Sequence, residues 1–247
     1  MTIYWDETQL DEEPEVLVEG DSWFSYWIPG NGNLVDRFDE TFDKSRVILS
    51  LAYPGDEAIK MLEGTSRWAL EQSLKDYTGL KMILFSGGGN DIAAKNLLPL
   101  LHPDCSDAES VQECFRPGQP GDRLRDIERA YRDLVTIRDL YRPDAVIVTH
   151  NYDYAVLGRK LLWIAWLDPY MKLAKVPKKF RAGIVARFID GFADMLTRLQ
   201  GPGFEFVKTS GTLTQSDWAN ELHPNRKGFR KLGKVFEPVL LKYLPND

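Results

Sequence analysis

The sequence predicts an α/β fold built on a parallel sheet, on two observations. Five short apolar runs, at 16–19, 46–51, 82–86, 145–149 and 204–208, mostly lack strict alternation of apolar and polar residues. That pattern suits strands buried on both faces. Between the runs lie longer segments with apolar residues at helical spacing. Strands alternating with helices argue for a parallel sheet.

Taken in order, the first run ends at Gly20 and leads into Asp21, Ser22 and four aromatics, Trp23, Phe24, Tyr26 and Trp27. The segment 65–77 predicts a helix capped by Thr65, with Trp68, Ala69 and Leu74 apolar. A longer helix is expected over 122–141, where Leu124, Ile127, Tyr131, Leu134, Ile137 and Leu140 recur at helical spacing and Pro143 stops the pattern. Over 179–199, Ile184, Phe188, Phe192, Met195 and Leu199 share one face, and Pro202 and Gly203 end the helix. A last helix starts near Pro224. Only 98–122, "LPLLHPDCSDAESVQECFRPGQPGD", lacks a pattern. Long irregular stretches in compact domains are usually functional or mobile. The expectation is therefore a single domain over 1–247 with an insertion or lid at about 98–122.

Composition narrows the function. A chain of 247 residues with 43% hydrophobic content can bury a full core. Its 31 basic and 37 acidic residues give a net charge of -6, which disfavours nucleic acid or an anionic membrane as partner. The basic cluster at 172–179 reads as a solvated helix face. No apolar run reaches the roughly 18 residues of a membrane span, so no integral membrane association is expected. The acidic start "MTIYWDETQLDEEPE" has no apolar signal region. A cytoplasmic location is the expectation, with a processed secreted form left open. Cys105 and Cys114 do not match a zinc ligand set; two free thiols are the favoured reading, with a disulfide closing the short loop between them left open.

In an open parallel sheet, ligands sit beyond the carboxyl ends of the strands. Those ends supply Ser22, then "AYPGDE" with Gly55, then "GGGND" with Asn90 and Asp91, then "HNYDY" with His150, and finally "SDWANELHPNRKGF" with His223. A serine hydroxyl needs a base to attack a carbonyl, and imidazole is the usual one. The oxyanion that forms needs fixed donors, which a glycine turn and an uncharged amide can offer. Ser22, Gly55, Asn90 and His223 thus make a kit for acyl transfer. The plainer alternative is that Ser22 only caps a helix. Asp21 is expected to pin the turn. His150 competes with His223 as base, but the favoured reading makes it a pocket-wall or hydrogen-bonded histidine beside Tyr152 and Tyr154. Asp56, Asp91 and Asp153 raise a divalent-metal site, which the amide and glycines argue against. The glycine run lacks the Gly-Lys-Ser/Thr of a phosphate loop. No metal and no organic cofactor is expected. Trp163 and Trp166 join the aromatic set, and at least one of Trp23 and Trp27 is expected near the pocket.

"EGDSW", "LAYPGDEA", "GGND" and "NELHPNRKGF", in that order, resemble the blocks of the SGNH hydrolases, also called GDSL esterases and lipases. The resemblance implies a flavodoxin-like three-layer α/β/α sandwich with a central five-stranded parallel sheet. It implies Ser22 as nucleophile, His223 as base, and the Ser22 N–H, the Gly55 N–H and the Asn90 amide as oxyanion donors. Asp21 and Asp91 would support the site, and Trp23, His150 and Tyr152 would line the substrate pocket. The family usually has Asp three residues before the histidine; this chain has Asn220. Asn220 orienting His223 without charge, Asp217 in its place, or a backbone carbonyl are the three ways to steady the ring. The expected function is a serine esterase or lipase-like hydrolase, acting on a small-molecule, lipid or carbohydrate ester. The alternatives are a carbohydrate O-acetylesterase and a non-catalytic binding protein on the same fold.

Overall fold

A computed structural model of the chain describes residues 2–28, 30–159 and 165–246, so Trp163 lies outside the described residues. Six parallel strands form one sheet: β1 (Ile3–Tyr4), β2 (Val16–Gly20), β3 (Ile48–Ser50), β4 (Met82–Ser86), β5 (Val146–His150) and β6 (Phe204–Val207). The five expected strands are all present, but among the described residues the sheet has six strands, not five. The additional β1 is two residues long and pairs Ile3 with Ile48. It is too short to carry a pattern of its own.

Eight α-helices lie among the described residues: α1 (Ser22–Ser25), α2 (Leu34–Thr41), α3 (Ala58–Met61), α4 (Gly64–Asp76), α5 (Gly121–Tyr141), α6 (Asp168–Leu173), α7 (Lys178–Leu199) and α8 (Arg226–Tyr243). Thr65 does not cap α4; the helix begins one residue earlier, with Glu63 at the cap position. The last helix starts at Arg226, where the Asn225 side chain accepts from the N–H groups of Lys227 and Gly228 at 3.0 Å each. That is an ordinary N-cap.

Two helical layers enclose the sheet. On one face α2 and α8 pack together, with Phe38 and Phe236 ring centroids 4.9 Å apart. On the other, α5 packs against α3, α4 and α7. Tyr131 of α5 meets Phe85 of β4 edge to face at 5.0 Å and Phe192 of α7 at 5.9 Å. Every residue of β2, β3, β4 and β5 is buried, as two-sided coverage requires.

The strand order is β1-β3-β2-β4-β5-β6. From β2 the chain moves to β3 on one side, then crosses to β4 on the other. Ligand crevices in open sheets form at such a reversal, beyond the strand ends. Here that point is the carboxyl end of β2, directly before Ser22. Among the described residues, no helix is long and apolar enough to cross a membrane.

The segment 98–122 has more order than its sequence suggests. It holds a 3-10 turn at Gln112–Cys114 and an antiparallel bridge between Leu101 and Phe115. Leu100, Leu101, Cys105, Cys114 and Phe115 are buried, and both cysteines are free.

Candidate active site

β2 ends against β4 with little room. A Cβ on Gly20 would lie 2.9 Å from the Cβ and the carbonyl oxygen of Ser86, so only glycine fits. The Asp21 N–H then donates to the Ser86 carbonyl at 3.0 Å, and the chain turns into α1. Asp21 caps that helix, its Oδ1 accepting from the Trp23 N–H at 3.0 Å. The same carboxylate accepts from the Ser86 hydroxyl at 2.9 Å and the Tyr152 hydroxyl at 2.7 Å. Burial pushes its pKa up to about 6 against the pull of those three bonds. Ser22 is the first residue of α1, half-buried at the sheet edge.

The Ser22 Oγ lies 2.7 Å from His223 Nε2, across 201 residues of sequence. His223 sits in a tight loop closed by a bridge between Trp218 and Pro224. The Ala219 N–H donates to the His223 carbonyl at 2.9 Å. Asn220 Oδ1 is 3.0 Å from His223 Nδ1 and also accepts from the backbone N–H groups of Leu222 at 2.9 Å and His223 at 2.8 Å. Two backbone donors identify that atom as the amide oxygen, because the amide nitrogen cannot accept. His223 therefore carries its proton on Nδ1 and turns the Nε2 lone pair to Ser22. The Asn220 Nδ2 donates to the Tyr26 hydroxyl at 2.9 Å. The Tyr26 ring stacks on the imidazole, centroids 4.3 Å apart and 16° from parallel. Burial lowers the His223 pKa to about 3.

Asp217 does not reach the histidine. Its Oδ2 accepts from the Thr214 N–H at 2.9 Å and the Thr214 hydroxyl at 2.7 Å, and pairs with Lys231 at 2.5 Å. Burial opposes its charge, but Lys231 and Thr214 hold its pKa below the usual carboxylate range. The alternative that Asp217 orients His223 is thus corrected; it closes its own turn and anchors α8.

His150 does not line the cavity, which corrects its place in the substrate pocket; it is a buried, hydrogen-bonded histidine. It has no exposure, and its Nδ1 accepts from the Tyr152 N–H at 3.1 Å. Its Nε2 therefore carries the proton and donates to Ser86 Oγ at 2.9 Å. Trp23 stacks over it at 5.2 Å. His150, Ser86, Asp21 and Tyr152 form one buried network beneath the Ser22 turn. Burial lowers the His150 pKa to about 3.

Asn90 borders the cavity beside Ser22, and its Nδ2 donates to the Asp56 carbonyl at 2.9 Å. Gly55 precedes Asp56 in a turn at φ +96°, which glycine adopts without strain. It does not line the cavity. Asp91 points away from the cavity and accepts from the N–H groups of Ala58 at 2.7 Å and Ile59 at 3.3 Å, capping α3 from another loop. Burial raises its pKa to about 6 against those bonds. Among the described residues no cluster of His, Cys, Asp or Glu is placed to hold a metal ion.

A small cavity of about 70 Å³, open to solvent on one side, begins at Ser22, Asn90 and His223. Trp23 and Tyr152 line it, while Trp27 is 68% exposed.

Sequence reasoning missed three residues here. Ser86 links His150 to Asp21. Tyr26 has the double contact with His223 and Asn220. Glu221, wholly buried, accepts from four backbone N–H groups, those of Gly158 at 3.1 Å, Trp166 at 2.6 Å, Leu167 at 2.7 Å and Asp168 at 3.0 Å. The aromatic cluster after Ser22 was a signal for Tyr26. Nothing local signals Glu221, whose partners lie more than 50 residues away.

No family model matches the chain, and no curated protein does. Solved structures do share its architecture. A lipase from a goat rumen metagenome superposes at a TM-score of 0.58 with 16% identity, over 90% of this chain and 95% of that one. A carbohydrate acetylesterase family member from Sinorhizobium meliloti gives 0.56 with 14% identity, over 93% and 98%. A candidate SGNH hydrolase from Slackia heliotrinireducens gives 0.54 with 12% identity, over 92% and 98%. The chain has the SGNH-hydrolase fold.

Proposed function

We propose that this protein is a serine hydrolase that cleaves carboxylic esters through an acyl-enzyme on Ser22. The observation that carries the reading is the 2.7 Å contact from Ser22 Oγ to an imidazole whose other nitrogen is fixed by Asn220. In this reading His223 Nε2 takes the Ser22 proton as Oγ attacks the ester carbonyl. The oxyanion is held by the Ser22 N–H at the start of α1 and the Asn90 amide; Gly55, which does not line the cavity, is dropped from the expected set of donors. His223 then protonates the leaving alcohol. A water molecule, deprotonated by the same nitrogen, attacks the acyl-enzyme and releases the acid.

The steps need no carboxylate beside the histidine. Asn220 supplies orientation and the correct tautomer but cannot neutralise the imidazolium. The Tyr26 ring face supplies part of what is missing, since a cation over an aromatic face is attracted by the ring quadrupole. Esterases, lipases and carbohydrate esterases among the structural neighbours support an ester bond as the target. A carbohydrate O-acetylesterase is the second reading, since neighbours on this scaffold include carbohydrate esterases.

The test is covalent. A serine-directed fluorophosphonate should label Ser22, and Ser22→Ala should abolish both labelling and turnover of p-nitrophenyl esters while the protein stays folded. A folded protein that neither labels nor turns over any ester would be a binding protein on this fold.

A further inference from the structure

The two cysteines lie in the segment 98–122, and neither lines the cavity at Ser22. The segment doubles back on itself. Leu101 bridges Phe115, the His102 N–H donates to the Cys114 carbonyl at 2.9 Å, and the Arg116 N–H donates to the Leu100 carbonyl at 3.0 Å. That pairing brings Cys105 against Cys114. The Cys105 Sγ lies 3.5 Å from the Cys114 carbonyl oxygen and within hydrogen-bonding reach of the Cys114 sulfur. Between 102 and 114 only these two residues are buried. The loop they enclose bonds within itself: Glu113 accepts from the Glu109 N–H at 2.9 Å and from the Ser110 hydroxyl at 2.8 Å. A surface loop with so little apolar burial has no core to fix it, and a covalent bridge is a common substitute.

The two ends of the loop stand on different helices. The Cys105 N–H donates to the Ala174 carbonyl at 2.9 Å, at the end of α6, and Asp104 pairs with Lys175 at 2.5 Å. Phe115, next to Cys114, meets Phe188 of α7 edge to face at 5.5 Å. Met171 of α6 and Phe188 of α7 both line the cavity beside Ser22. A bond between the two sulfurs therefore ties the wall that α6 contributes to the wall that α7 contributes.

We propose that Cys105 and Cys114 are a disulfide site, oxidised by a small disulfide of the glutathione disulfide class, and that the bridge clamps 102–114 across α6 and α7. One cysteine thiolate attacks a sulfur of the oxidant, forms a mixed disulfide and expels one glutathione thiolate. The other cysteine thiolate attacks the protein sulfur of that mixed disulfide, forms the Cys105–Cys114 bond and expels the second glutathione thiolate. Two electrons pass from the protein pair to the oxidant, and the two protons lost by the cysteines end on the two glutathiones. Burial pushes the Cys105 thiol up to about 12 and raises that of Cys114, so thiolates are scarce in the folded chain. The bond is thus made while the loop is open, during folding, and is then shielded from reductants. It is a structural bridge rather than a fast redox sensor.

The experiment unfolds the full chain in urea with dithiothreitol, removes the reductant and refolds it at fixed ratios of glutathione to glutathione disulfide. Samples are quenched with acid, denatured, labelled with N-ethylmaleimide and read as intact masses. Refolding with the disulfide present should give a chain that takes up no maleimide, while refolding in dithiothreitol should give one that labels at both cysteines. Closing a loop of about ten residues should raise the folding equilibrium constant, taken from urea curves of the two forms, by on the order of 10²-fold. A glutamyl endopeptidase cut at Glu109 or Glu113 should leave the bridged fragments joined until they are reduced. The double variant Cys105→Ala/Cys114→Ala should show one urea midpoint in both buffers. Maleimide on both cysteines at every ratio, or glutathione adducts alone, would overturn the proposal. So would a bridged form no more stable than the reduced one, since a chance bridge in the unfolded chain does not favour the fold.

Discussion

Asn220 stands where an imidazole is more often steadied by a carboxylate, and the consequence is electrostatic. With no anion beside it, buried His223 is held near pKa 3. In the proposed mechanism the neutral ring is the base, so activity is lost as pH falls through the pKa of the ring. The acid limb of kcat/KM should therefore lie well below the ordinary imidazole value of 6.5. Asn220→Asp places a negative charge on Nδ1–H, raises the histidine pKa and should move that limb upward in pH. A pH–rate profile of both proteins checks the direction. Tyr26→Leu removes the ring face and the partner of Asn220, and should lower kcat on the order of tenfold. Tyr26→Phe keeps the stack and should lose less; equal losses would place the effect in the hydroxyl. Asn90→Ala should reduce kcat by about 10²–10³-fold with little change in KM, the pattern of a lost oxyanion donor.

At the scale of elements, the histidine loop and the approach to α6 form one unit through Glu221. A buried carboxylate that accepts four N–H groups closes an account that neither segment could close alone. Two of those donors, on Leu167 and Asp168, lie at the start of α6, where a negative charge is favoured by the helix dipole. Trp166 also touches the histidine edge to face at 5.5 Å. Glu221→Ala strands these donors and should cost about 2–4 kcal/mol in urea unfolding, with a drop in kcat as His223 loses its frame. Glu221→Gln keeps the shape but presents an amide nitrogen to two donors, and should recover only part of the loss. On the opposite flank, α1 is short and rests on Asp21. Its Trp23 indole is bonded to the Leu222 carbonyl, so the Ser22 turn and the His223 loop are tied by a second contact besides that of Ser22 with His223.

For the whole molecule, burying two histidines without a charge partner links stability to pH. His150 and His223 are near pKa 3 when folded and near 6.5 when unfolded. Their contribution is fully present above 6.5 and is lost as pH falls toward 3, because the unfolded chain takes up the protons first. Asp21 and Asp91 act oppositely. Their folded pKa of about 6 favours the native state below the ordinary 3.8, and that contribution is lost as pH rises through 6. His150→Gln removes one of the histidine terms. The variant should be less stable than the parent at pH 7, and the gap between them should narrow at pH 4.5, measured by urea midpoints at both values.

The alternation of strand and helix was legible in the chain, and so were the three residues that the structure brings to one cavity, Ser22, Asn90 and His223. Each is a local signal: an apolar run, a helical spacing, a block of four or five residues at a strand exit. The strands that frame the site appear where their apolar runs place them, and Ser22 and His223 meet at 2.7 Å. What the chain could not decide was which neighbour serves which group. Asn220 and Asp217 are both near His223 in sequence, and only the fold of the loop turns one to the ring and the other to Lys231. His150 and His223 both follow the sheet edge, and only packing buries one under Trp23 and aims the other at Ser22. Glu221 and the cavity beside Ser22 are further from reach, because the residues that meet there come from segments far apart in the chain. Residue type and spacing determine what chemistry is available. The meeting of distant elements, driven by burial and by the pairing of every buried polar group, decides which of it is used.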